Sequence, residues 1–409
     1  MRPMNEGWYL FRRRVKGHIQ SVPFYLFRLF PVDDHKVVFE NIEGTVGYGC
    51  NPKYICDELL RRNGGAAIGK EMDLVWLVND TSKAFPRGVR VVRNTLWNRA
   101  RELATSKVWV DNSRKQLECR KRKGQYYIQT WHANVAIKPI GLDRGKSFSK
   151  IAYLVSKHDS DLIDLVLTDS KWYEEKVVQS GLLYTGETLR TGSPRVDILL
   201  NQREEKRNEL IEKHHLAPDA KLIMYAPTFR GGSQSTTRSV AKNNLMPDFA
   251  SLRDALHKRF GGEWTVLLRL HPQLTARHIV ADASADPRII DVSKEDDMFE
   301  TLAGCDAFLS DYSASVFDAA YTRMPVFLYV PDLEDYRAER GELMWNLEQL
   351  PFPAAKDDAE LADKILVFDE KAYSNRLDAL LESIDLYEPG TASAAVADIV
   401  QSHLVKESL

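Results

Sequence analysis

The chain has 409 residues, 44% of them hydrophobic, and a formal net charge of −2. That length suits two domains of about 200 residues each rather than a single core. Near-balanced charge excludes a global electrostatic footprint for nucleic acid, and no apolar run approaches the ~20 residues needed to span a bilayer. Cys50, Cys56, Cys119 and Cys305 are scattered without metal-ligand spacing; they fit a reduced, cytoplasmic protein. Residues 1–14 lack the apolar core of a secretory signal.

Residues 8–30 interleave Trp8, Tyr9, Phe11, Phe24, Tyr25, Phe27 and Phe30 with Arg12, Arg13, Arg14, Lys16 and Arg28. Rings at headgroup depth and cations against anionic lipid suit a membrane interface. The alternative is a helix packed on the domain with its charges solvated. A peripheral protein on the inner leaflet is expected, not a spanning one.

Strands are expected at 37–39, 74–78, 89–92, 107–110, 126–130, 165–168 and 189–191, with helices at 52–62 and 96–104. Pro52 suits a first helical turn. A charged helix at 203–214 then divides the chain. Further strands follow at 221–225, 264–270, 289–291, 307–309 and 326–330, and closing helices at 360–368 and 372–384. Strands separated by helix-length segments predict parallel, doubly wound sheets. The expected architecture is α/β: an N-terminal segment 1–34, α/β domains at 35–202 and 203–390 facing a central cleft, and a tail at 391–409. Residues 231–237 read as a mobile loop.

In such sheets ligands sit at the carboxyl ends of strands. The first half places Trp131, His132, Lys138 and Arg195 there, and the second places Thr228, Arg230, Arg269, His271 and the run 310–315. Ser310, Asp311, Tyr312, Ser313 and Ser315 precede a helix-like pattern, and a helix start with free N–H groups favours anions. A plain N-cap is the simpler reading of one such turn. The set as a whole suits a diphosphate, with one histidine serving as base near neutral pH. Asp159-Ser160-Asp161 imitates an Asp-x-Asp metal site but reads as a cap preceding a helix, and no metal or cofactor is expected.

These blocks resemble the CDP-glycerol glycerophosphotransferase family, the enzymes of teichoic acid and capsule polymer synthesis. The similarity rests on Thr130-Trp131-His132 with Lys138 and Gly141-Leu142-Asp143, on Asn51-Pro52-Lys53, and on Asp111-Asn112-Ser113-Arg114. It continues through Gly192-Ser193-Pro194-Arg195, Ala226-Pro227-Thr228-Phe229-Arg230, Arg269-Leu270-His271-Pro272, Ser310–Ser315 and Glu339-Arg340-Gly341. The resemblance implies a GT-B fold and transfer of a polyol phosphate from CDP-glycerol or CDP-ribitol to a lipid-linked or oligosaccharide acceptor. His132 would be the general base in an acceptor-side domain, and His271 would touch the donor pyrophosphate. Ser310–Ser315 would hold phosphate, while Thr228, Arg230 and Arg269 would line the donor side; Asp318 and Arg340 join the substrate-binding set. Ala133-Asn134 stands where the family has Gly-Thr, Val196 replaces an Asn, and Ala314 replaces a Ser. Those departures bear on which polyol and acceptor are used. A nucleotide-sugar glycosyltransferase and an inactive membrane-bound scaffold are the alternatives.

Overall fold

The structure, a computed structural model, describes residues 6–63, 72–228, 246–270 and 286–404, without the side chain of Arg340. Two compact units emerge. The first comprises Met1–His132, Ile140–Asp197 and Leu386–Leu409, and the second Ala133–Pro139 and Ile198–Asp385.

The first unit is built on seven parallel strands: β1 (Asp33–Glu40), β2 (Asp73–Val78), β3 (Val89–Arg93), β4 (Ser106–Asp111), β5 (Tyr126–Gln129), β6 (Leu165–Thr168) and β7 (Glu187–Arg190). Their order is β3-β2-β1-β4-β5-β6-β7. The central strands are apolar runs because a parallel sheet is covered on both faces: Val37, Phe39, Trp76, Val108, Val110 and Ile128 are all buried. Ile55 and Leu59 of the helix Cys50–Asn63 pack against them. So do Val396, Val400 and Leu404 of the helix Ala392–Leu404, so this helix, in the segment set apart as a tail in the sequence, contributes core.

Six parallel strands form the second unit: β8 (Lys221–Tyr225), β9 (Trp264–Leu268), β10 (Ile289–Asp291), β11 (Ala307–Ser310), β12 (Val326–Tyr329) and β13 (Ala354–Ala355). Their order is β10-β9-β8-β11-β12-β13. Each order begins as the dinucleotide-binding 3-2-1-4-5-6 arrangement, whose crevice opens where the winding reverses. That switch point lies between β1 and β4 in the first unit and between β8 and β11 in the second.

Local chemistry explains the framework. Thr95, Ser149, Asp248 and Asp357 accept backbone N–H bonds at the starts of their helices, as N-caps should. Gly141 has φ +50, and a Cβ there would lie 2.0 Å from the Ser180 carbonyl oxygen. Only glycine fits that approach. Asp143 is tied to the same residue by the Ser180 hydroxyl at 2.7 Å, so Gly141 and Asp143 both hold this turn against Ser180.

The N-terminal residues form the helices Glu6–Gln20 and Val22–Phe27. Phe24 is fully buried, and Phe27 meets the Trp97 ring edge-on at 6.3 Å. The outward stripe is apolar: Trp8, Phe11, Val15 and Ile19, at helical spacing, are exposed, and Val22, Tyr25, Leu26, Leu29 and Phe30 continue it. Among the described residues no helix is long and apolar enough to cross a membrane.

Candidate functional site

At the first switch point, β1 ends at Glu40 and β4 at Asp111, paired in register. Lys115 Nζ lies 2.6 Å from Glu40 Oε2 and 2.5 Å from Asp111 Oδ2, with all three side chains buried. Burial works against the Glu40 charge, but Lys115 and Arg99 hold its carboxyl below the ordinary range. For Asp111 burial prevails, aided by the Glu40 charge and opposed by Lys115, and pushes it up to about 7. Two carboxylates around one ammonium cannot both be fully compensated, so they titrate as a group.

Above this group the turn after β4 makes a dense set of bonds. Asp111 Oδ1 accepts from the Ser113 N–H at 2.8 Å and from its hydroxyl at 3.0 Å. Asn112 Nδ2 donates to Asn41 Oδ1, and Ile42 N–H donates to Asn112 Oδ1, both at 2.8 Å. His132, exposed at the end of the first unit, places Nδ1 2.6 Å from the Asn112 carbonyl oxygen. A carbonyl only accepts, so Nδ1 carries the proton, and in the neutral ring the lone pair then falls to Nε2.

Trp131 is buried and has φ +51, a left-handed conformation uncommon for a bulky residue. Its N–H donates to Gln129 Oε1 at 2.9 Å, and Asn51 Nδ2 donates to its carbonyl at 3.0 Å. The Arg114 guanidinium lies 4.6 Å over its ring. Trp131 thus shapes the approach to His132 from the interior. Arg195 is also interior, 1% exposed, and its N–H donates to Asn51 Oδ1 at 3.0 Å.

Asp159 departs from the expected cap before a helix. It lies at the end of the helix Lys150–Ser160 and is buried. Its carboxylate accepts from Lys115 N–H at 2.9 Å and Tyr127 hydroxyl at 3.1 Å, and burial raises it to about 6. A carboxylate so engaged braces the β4–β5 exits.

In the second unit the corresponding exits are 226–228 after β8 and 311–315 after β11. Asp311 is 2% exposed and points inward. It accepts from Thr228 N–H at 2.9 and 3.0 Å, from the Thr228 hydroxyl at 2.6 Å and from Tyr312 N–H at 2.6 Å. Ser310 donates to the Ala226 carbonyl at 2.7 Å. Tyr312 stacks on Tyr336 at 3.8 Å and bonds Asp332 at 3.1 Å. Ser313 and Ser315, whose hydroxyls lie 2.8 Å apart, flank the start of the helix Ser315–Tyr321. Asp318 is buried and accepts from Asn134 Nδ2 at 3.1 Å.

Arg269 follows β9; its Nη1 donates to the Val292 carbonyl at 3.0 Å. Burial lowers its pKa against the pull of Asp297, Glu295, Asp296 and Asp291. Lys138 is half-buried in the Ala133–Pro139 segment of this unit. Arg230, His271 and the loop 231–237 lie outside the described residues, as does the Arg340 side chain. Of the sequence departures, Asn134 and Val196 are buried. Glu40, Asn41 and Lys115 were missed in the sequence; their position just after a strand, or four residues beyond one, is the only signal they carry.

Residues 23–402 match the family of CDP-glycerol:poly(glycerophosphate) glycerophosphotransferases. A teichoic acid poly(glycerol phosphate) polymerase of Staphylococcus epidermidis is 25% identical over 388 residues, 91% of this chain and 51% of that protein. The chain therefore spans about half that relative's length. A teichoic acid ribitol-phosphate primase of Bacillus spizizenii is 28% identical over 295 residues, 69% of this chain and 71% of that protein. The solved structure of the wall teichoic acid polymerase TagF matches with a TM-score of 0.78 and 24% identity over 99% of both chains, giving a GT-B-like α/β fold. Because the family match runs from residue 23 to residue 402, the chain belongs to the CDP-glycerol:poly(glycerophosphate) glycerophosphotransferase family.

Proposed function

We propose that this transferase moves a polyol phosphate, glycerol phosphate first, from a CDP-activated donor to a hydroxyl of a lipid-linked or glycan acceptor. The observation that carries the reading is His132 after β5, beside the first unit's switch point, with Nδ1 on the Asn112 carbonyl. Nε2 takes the proton of the acceptor hydroxyl as its oxygen attacks the phosphorus bearing the polyol. The bond from that phosphorus to the bridging oxygen breaks, and CMP leaves with the electron pair. Such a step asks the protein for positioning and charge stabilisation more than covalent work.

The second unit supplies the donor seat in this reading. Ser313, Ser315 and Arg269 face the diphosphate, Thr228 lines it, and Ser310, Asp311 and Tyr312 hold the turn from within. By resemblance Arg230, His271 and Arg340 join them. CDP-ribitol is the second reading, favoured by the similarity to a ribitol-phosphate primase. CMP release measured with CDP-glycerol, CDP-ribitol and a panel of nucleotide sugars tests the reading. Turnover of a CDP-polyol alone supports it, and turnover of a nucleotide sugar alone overturns it.

The N-terminal apolar stripe, flanked by exposed Arg12, Arg14 and Lys16, suits the anionic inner face of a membrane. Charge reversal across residues 12–14 should weaken binding to phosphatidylglycerol vesicles and flatten its salt dependence. Equal co-sedimentation of both proteins would count against a membrane-bound location.

A further inference from the structure

We propose that Asn112 is the positioning residue of His132: its carbonyl holds the imidazole with the proton on Nδ1, and its side chain clamps that carbonyl to the turn after β1. The inference rests on the reading of His132 as the base. Neutral imidazole in water favours the opposite tautomer, with the proton on Nε2 and no basic nitrogen there. The 2.6 Å bond to the Asn112 carbonyl reverses that preference.

A carbonyl orients a ring only if it cannot swing, and the Asn112 side chain prevents that. The residue is fully buried, and both ends of its amide are engaged, Nδ2 with Asn41 Oδ1 and Oδ1 with Ile42 N–H. Turning the amide over would set donor against donor at Ile42, so only one orientation fits.

The turn it grips is strained. Ile42, Glu43 and Gly44 have φ of 44°, 55° and 72° in succession, and a β-branched residue with positive φ is a genuine outlier. Such a conformation persists only where its surroundings over-determine it. Here the ties are Asn112 on Ile42, the Ser113 hydroxyl accepting from Glu43 N–H at 3.0 Å, and Asn94 Nδ2 donating to the Glu43 carbonyl at 3.2 Å. Lys115, bonded to both Glu40 and Asp111, pins the two strand exits beneath. A strand exit needs none of this to close; a carbonyl aimed at a base does.

Nitrogen-15 NMR of the histidine-labelled full chain, with His132→Gln assigning the resonance, reads the tautomer. In the unsubstituted protein neutral His132 should carry its proton on Nδ1; a proton on Nε2 overturns the inference without any variant of Asn112. Asn112→Ala should move the population toward Nε2–H. It should also lower kcat for CMP release from CDP-glycerol about 10- to 100-fold, with KM for CDP-glycerol within about twofold. Asn41→Ala, which leaves the Ile42 bond in place, should shift both readouts the same way and less; it decides the matter if Asn112→Ala does not fold. Unchanged tautomer in the folded variant, or loss of donor affinity without loss of kcat, overturns the role of Asn112. Retained turnover in His132→Gln overturns the base assignment instead, and the two failures are told apart by that variant alone.

Discussion

The two switch points solve the same geometric problem with different chemistry. In each unit two parallel strands part where the winding reverses, and a carboxylate at the exit of the later strand ties them together. In the second unit Asp311 does this with neutral donors, the Thr228 N–H and hydroxyl and the Tyr312 N–H. In the first unit Asp111 and Glu40 share the ammonium of Lys115. A carboxylate satisfied by N–H and O–H groups is a local staple. Two carboxylates on one buried lysine form a coupled electrostatic group, sensitive to the loss of any member. The contrast matches what each exit presents: a start of helix with hydroxyls in one, an asparagine carbonyl bonded to an imidazole in the other.

Removing the cation should break the first switch point most severely. At pH 8, where both are ionised, Lys115→Met leaves two buried carboxylates without their shared ammonium and should cost about 3–5 kcal/mol in urea unfolding. A cost near zero would mean that Glu40 and Asp111 do not ionise together in the folded protein. In the second unit Thr228→Val removes one hydroxyl bond to a charged group while keeping the N–H bonds. It should cost about 1.5–3 kcal/mol, the range for bonds to charged groups. If Thr228→Val were the more damaging of the two, the contrast between staple and coupled group would be wrong.

A subtler effect separates the units by pH. Asp111 has a folded pKa of about 7, above its unfolded value, so the folded protein holds an extra proton between about pH 4 and 7. Stability from this group is full below that window and is lost as pH rises through it. Asn mimics the protonated acid and has no such dependence. Asp111→Asn should therefore gain on the unsubstituted protein by about 2 kcal/mol between pH 5.5 and 8. A parallel pH dependence of the two proteins would show that Asp111 stays ionised throughout.

The strand ends were legible because an apolar run followed by polar residues marks a parallel strand and its carboxyl end. Trp131-His132 and Thr228 stand at such places. What the sequence hides is long-range pairing. Asn41 and Asn112 are partners 71 positions apart, and Glu40 and Lys115 are 75 apart; no local pattern joins them. Burial was equally hidden: Asp311 and Tyr312 read like ligand contacts, yet their side chains face the interior. β13 escaped because its two residues, Ala354–Ala355, carry no apolar run. The helix Ala392–Leu404 had its signal in Val396, Val400 and Leu404 at four-residue spacing.

The most direct test of the account replaces the imidazole and asks which step suffers. His132→Gln should lower CMP release from CDP-glycerol by about 10²- to 10⁴-fold, the contribution of a general base, while CDP-glycerol binds within about twofold of the unsubstituted protein. Turnover retained at close to the original rate would contradict it, and the first switch point would then be scaffold without a base.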